Sequence, residues 1–111
     1  MFYVNPGKTV TISGLTITNG HPHGVLQRGG GIHNDQAALT VTNCTLSGNS
    51  GDFGGGGIYN DSGAVTVTNC TLSGNSTSGY QGGGIFNDAG AVTVTNCMLQ
   101  RQLCLARGWH L

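Results

Sequence analysis

The sequence predicts an all-β fold, a right-handed parallel β-helix of about three and a half coils. Three observations predict it. Near-identical copies open with Gly-Gly-Gly-Ile at Gly29, Gly55 and Gly82, spaced 26 and then 27 residues apart. Each copy contains a run of period two, Val65 and Val67 alternating with Thr66 and Thr68, which is strand patterning in β-branched residues. Gly and Asn punctuate the runs, both of them tolerant of left-handed backbone, and no segment has a helical period or a capping box. A repeat of this length cannot bury an apolar face alone, so successive copies must stack at about 4.8 Å. Parallel crossovers are overwhelmingly right-handed, which sets the expected hand.

Each element follows in order. A weaker copy starts at Thr9, where Val10, Ile12, Leu15 and Ile17 align with Val65, Val67, Cys70 and Leu72. After Asn69 the alternation slips by one residue, so Cys70 and Leu72 become the inward pair; a bend between two short strands requires such a slip. A third strand runs Gly57-Ile58-Tyr59-Asn60 with Ile58 inward. Stacking then makes columns of Val10, Leu39, Val65 and Val92, of Ile12, Val41, Val67 and Val94, of Ile17, Leu46, Leu72 and Leu99, and of Ile32, Ile58 and Ile85. The coils are expected at about residues 4–28, 29–54, 55–81 and 82–99, one repeat domain over 1–99.

Composition narrows the function. The 111 residues carry no net charge and only 7% are charged, so nothing points to nucleic acid. Gly is abundant, 21 residues, but lacks the three-residue period of collagen. No apolar run reaches the roughly 20 residues that span a bilayer. The opening MFYVNPGKTV has no basic stretch followed by an apolar one, so no signal peptide is expected within this chain.

The motif GGGIYND, followed by AVTVTNCTLSGNS, resembles the repeats of large bacterial right-handed β-helix surface proteins, and more loosely the repeats of the chlamydial polymorphic outer-membrane proteins. The resemblance covers about residues 4–99. It implies a pectate-lyase-like coil architecture, an extracellular or cell-surface setting for the parent protein, and adhesion. It implies no catalytic residue. The aromatic that precedes an Asn by three positions in the chlamydial repeats is not found in these copies.

Several residue sets invite a chemical reading. Cys44, Cys70 and Cys97 share a column with Leu15 and read as packed thiols, since a buried free thiol behaves as a small apolar group. Asn43, Asn69 and Asn96 form one asparagine column and Asn34, Asn60 and Asn87 another; stacked amides can hydrogen-bond along the pile. Asp35, Asp61 and Asp88 give one carboxylate per coil, which falls short of the six or more oxygens calcium takes, so no cofactor is expected. His21, His23 and Arg28 lie in a lengthened loop, and with Asp52, Phe53, Tyr80 and Gln81 they are the candidate ligand-binding positions. Thr40 and Thr42, Thr66 and Thr68, and Thr93 and Thr95 form an outward threonine array that resembles the ice-binding face of β-helical antifreeze proteins.

No nucleophile, base and acid occur together, and the carboxylates are not clustered. The expected role is therefore non-enzymatic, a stalk or adhesion module that touches carbohydrate or a cell surface through its variable loops. The rivals are a fragment of a β-helical polysaccharide lyase or hydrolase whose catalytic coils lie elsewhere, and an ice-binding protein. Open sheet edges also predict end-to-end self-association. From Met98 the repeat breaks down, and residues 100–111 are expected to be an aberrant tail. A shift of one nucleotide would allow Ser-Gly-Asn-Ser and Gly-Gly-Gly-Ile to return in phase, so Cys104, Trp109 and His110 are expected to carry no function.

Overall fold

The computed structural model describes residues 2–20, 29–51, 55–77 and 83–100 with their side chains, together with the backbone of 103–104. They form a solenoid of parallel strands, a little over three turns, with no helix among them.

The strands stack into four sides, the fourth without a described strand from the first coil. The first stacks Phe2–Val4, Ile32–Asp35, Ile58–Asp61 and Ile85–Asp88. The second stacks Thr9–Ser13, Ala38–Thr42, Ala64–Thr68 and Ala91–Thr95. The third stacks Thr16–Thr18, Thr45–Ser47, Thr71–Ser73 and Met98–Gln100. The fourth pairs Ser50–Gly51, Ser76–Thr77 and Leu103–Cys104. All pairings are parallel and without slip: Leu39 lies opposite Val65 and Val65 opposite Val92, and Leu46 opposite Leu72 and Leu72 opposite Leu99.

The bends explain the phase changes. Asn43, Asn69 and Asn96 have φ of 53, 54 and 51°, and Gly14 takes their place in the first coil at 69°. One left-handed residue turns the chain without completing the alternation, so Val67 and Cys70 both point inward. Gln36, Ser62 and Ala89 do the same between the first two sides, at 53, 58 and 63°. The glycine triplets serve close approach: a Cβ at Gly56 would lie 2.2 Å from the Ser76 carbonyl oxygen and 2.4 Å from that of Gly83.

The core is the expected set of columns. Ile32, Val41, Leu46, Ile58, Val67 and Leu72 are fully buried, while Val10, Val92, Val94, Cys97 and Leu99 in the outer coils are partly covered. Burial of a Val or Leu side chain contributes about 1.5–3 kcal/mol, so the two inner coils hold most of the hydrophobic stabilisation.

Four features differ from the sequence reading. The second and third coils have a fourth strand, two residues long and without a large apolar inward residue to signal it. The first coil begins with Phe2–Val4 rather than near residue 4, with Phe2 opposite Ile32. Leu15 reaches the cysteine column in register, yet is 45% exposed, unlike Ile12 and Ile17 in the same coil. Strand pairing also runs past Leu99, through Gln100 and on to the backbone of Leu103 and Cys104, which pair with Ser76 and Thr77. Parallel pairing uses backbone groups alone, so an altered side-chain sequence does not end it at once.

Candidate functional site

The two asparagine columns are not equivalent. Asn34 and Asn60 are fully buried, with Asn87 beyond them in the outer coil. The Asn34 amide Nδ2 donates to Asn60 Oδ1 at 2.9 Å and Asn60 Nδ2 donates to Asn87 Oδ1 at 2.8 Å. Each amide also donates back to its own bend, Asn34 to the Ala37 carbonyl at 2.9 Å and Asn60 to that of Gly63 at 3.0 Å. The ladder therefore closes the corner from inside. At its upper end Val4 stands opposite Asn34 and offers no donor, leaving Asn34 Oδ1 buried without a hydrogen bond.

Asn43, Asn69 and Asn96 are a correction to the expected ladder. Their side chains are exposed at the bend, and they serve through backbone conformation rather than stacked amides. A left-handed residue at a corner projects its side chain outward, away from the residues above and below. The second internal ladder lies elsewhere. Asn49 and Asn75, both fully buried, are joined by Asn49 Nδ2 to Asn75 Oδ1 at 3.0 Å. The Gly20 backbone N–H caps Asn49 Oδ1 at 2.9 Å. Sequence reasoning passed over them because Ser-Gly-Asn-Ser reads as a turn; the signal was the Asn following a repeated Gly, an inward position after a left-handed one.

The cysteines are free thiols in a column, Cys44 and Cys70 buried and Cys97 half-buried. The Cys44 N–H donates to Cys70 Sγ and the Cys70 N–H to Cys97 Sγ, both at 3.4 Å. Each thiol in turn donates to a carbonyl two residues back, that of Thr42, Thr68 or Thr95. Burial pushes the Cys70 thiol above its ordinary pKa, and the neighbouring thiols add to this. A thiol held protonated is a poor nucleophile and a poor metal ligand.

The outer face of the first side carries the aromatic and acidic residues. Tyr3, His33, Tyr59 and Phe86 are in register, with ring centroids 4.8, 5.2 and 5.4 Å apart. Tyr59 is 3% exposed and Tyr3 48%. Asp35, Asp61 and Asp88 run beside them. These carboxylates are engaged locally: Tyr3 Oη donates to Asp35, Tyr59 Oη to Asp88 at 3.2 Å, and Ser62 Oγ to Asp61 at 3.1 Å. The bond to Asp35 raises the Tyr3 pKa, helped by burial and by the charges of Asp35 and Asp61. Among the described residues no group of three His, Cys, Asp or Glu side chains is placed to hold a metal ion.

The outer faces of the second and third sides are different in kind. Thr11, Thr40, Thr66 and Thr93 form one rank, and Ser13, Thr42, Thr68 and Thr95 the next. Their strands carry Thr, Ser, Ala, Met and Gln outward and no titratable group. His21, His23, Arg28, Asp52, Phe53, Tyr80 and Gln81 lie outside the described residues; in the sequence all seven fall between the last strand of one coil and the first strand of the next.

The family described as a right-handed β-helix region matches residues 1–102. No curated protein and no solved structure matches the chain.

Proposed function

We propose that this chain, which belongs to the right-handed β-helix family, is a non-catalytic repeat module, a stiff stalk or adhesion segment of an exported, cell-surface protein. The family includes both polysaccharide-cleaving enzymes and proteins without catalysis, so membership alone does not choose. The observation that carries the choice is the absence of any titratable side chain on the outer faces of the second and third sides among the described residues. General acid–base chemistry on a glycan needs a positioned proton donor or acceptor. The second and third sides offer hydroxyls with no base beside them, and the first side's carboxylates are each held by a neighbouring hydroxyl, Asp35 by Tyr3, Asp61 by Ser62 and Asp88 by Tyr59.

Binding falls to the segments that join one coil to the next. In the sequence His21, His23, Arg28, Asp52, Phe53, Tyr80 and Gln81 all lie in those segments, each of which leads into a first-side strand carrying an aromatic ring and an Asp. Aromatic rings beside carboxylates suit sugar recognition, with ring faces for apolar sugar surfaces and carboxylates for hydroxyls. The test is a glycan array probed with the chain and with a variant in which Asp52, Phe53, Tyr80 and Gln81 are replaced by Gly and Ser. Glycan binding lost in the variant, with circular dichroism unchanged, supports the module. Release of shortened or unsaturated oligosaccharides from an acidic polysaccharide would establish a catalyst instead.

The straight threonine register favours a second reading, binding of ice by the second side. The hydroxyls and methyls stand at repeats of roughly 6.7 Å along the strands and 4.8 Å across them. Thermal hysteresis in a dilute solution, abolished by Thr66→Lys, is its expected sign; freezing indistinguishable from that of an inert protein would remove it.

A further inference from the structure

We propose that the free edge of the fourth coil is a docking surface for the first coil of a second copy of this chain, in head-to-tail register. The occupant is argued from the interface the chain already uses between its own coils. In that interface apolar residues stack like on like, Val10 on Leu39, Ile12 on Val41 and Ile17 on Leu46. At the fourth coil Val92, Val94 and Leu99 are only partly covered, and they present the same three columns. A second copy whose Val10, Ile12 and Ile17 fall under them continues each column.

The described edge strands carry little that blocks the approach; Pro6 and Lys8 stand in the bend between Phe2–Val4 and Thr9–Ser13 rather than on a strand. The first-coil strands Phe2–Val4, Thr9–Ser13 and Thr16–Thr18 carry no charge and no proline. On the fourth-coil strands with described side chains the one charged residue is Asp88, which is already hydrogen-bonded to Tyr59. Unprotected parallel edges are ready templates for further strands.

The contact is directional. In the asparagine ladder each amide donates to the next coil along, from Asn34 to Asn60 and from Asn60 to Asn87. The Asn87 amide donates one N–H to the Gly90 carbonyl and carries a second, which the order of the ladder would direct past the last rung. A head-to-head pair would set donor against donor. A head-to-tail contact joins two different surfaces and does not close, so it builds short rows rather than a dimer.

Among the described residues one column does not match. The residue that would meet Asn87 is Val4, which cannot accept its N–H. This mismatch limits the affinity and supplies the test. Val4→Asn restores the rung, and the association constant should rise about fivefold to tenfold for one net hydrogen bond. The same change gives Asn34 Oδ1 its missing donor, so the unfolding midpoint should rise separately.

Polarity is tested by two variants at exposed positions, Leu15→Lys on the first coil and Asn87→Asp on the fourth. Each puts a charge on one edge, and each alone should sediment as a monomer across the range where the unmodified chain forms concentration-dependent oligomers. An equimolar mixture keeps one free edge of each kind and should form a dimer and stop. The proposal is overturned if the unmodified chain and Val4→Asn both remain monomeric at the highest concentration reached. It is equally overturned if either blocked variant associates alone, or if the mixture does not pair.

Discussion

Asn60 and Asn69 have the same side chain, recur with the same spacing and stand nine residues apart, yet they do opposite things. Asn60 has extended backbone, points inward and is fully buried, its amide shared with Asn87 and the Gly63 carbonyl. Asn69 has φ of 54°, points outward and is exposed, and what the fold uses is its tolerance of that conformation. The difference teaches that a repeated residue in a solenoid is read by its phase relative to the nearest left-handed bend. An inward polar residue needs a partner in the next coil; an outward one needs only to permit the turn.

The largest expected effect comes from breaking the inward side. Asn60→Ala leaves the buried Asn34 amide and the exposed Asn87 Oδ1 short of a partner and should lower stability by about 2–4 kcal/mol, measured by denaturant unfolding. Asn75→Ala, in the second buried ladder, should fall in the same range.

The outward side should respond to backbone, not to hydrogen bonding. Asn69→Val puts a β-branched residue in left-handed conformation and should cost about 1–2 kcal/mol. Asn69→Gly keeps the conformation accessible and should lie within about 0.5 kcal/mol of the parent, the balance of a relaxed bend and a freer unfolded chain.

The thiol column gives a pH-dependent effect. The folded Cys70 titrates above the unfolded thiol because it is buried. Its protonated form is therefore favoured by folding: the contribution is intact below the ordinary thiol pKa and is lost as pH rises through that value toward the folded one. Stability should decline on the alkaline side, and Cys70→Ala should flatten the decline. Alkylation followed by peptide mapping should label half-buried Cys97 before Cys70 in the folded chain.

Much of this fold was legible. Alternation located the second side, and the slip after Asn43, Asn69 and Asn96 located the third, because apolar burial imposes both patterns. What escaped lacked an apolar signature. Ser50–Gly51 and Ser76–Thr77 pair through backbone alone, and Asn49 and Asn75 are buried polar residues inside a segment with turn composition. Phe2–Val4 replaced the repeat's Ile-aromatic-Asn with Phe-Tyr-Val, so its alignment with Ile32–Asn34 was hidden by a change in two of three residues. The carboxylate column was found as a column, but its engagement with Tyr3, Tyr59 and Ser62 depends on rings and hydroxyls reaching across coils. The residues expected to bind ligand fall, in the sequence, between one copy of the repeat and the next, where no repeat constrains them.

The most direct measurement is a pair of double-mutant cycles on equilibrium unfolding, one across Asn34 and Asn60 and one across Asn43 and Asn69, each residue changed to Ala. Both pairs are stacked neighbours 26 residues apart. The account predicts a coupling of about 1–2 kcal/mol for the inward pair, which shares a hydrogen bond, and one within about 0.3 kcal/mol of zero for the outward pair. Equal couplings, or a larger one for Asn43 and Asn69, would contradict it.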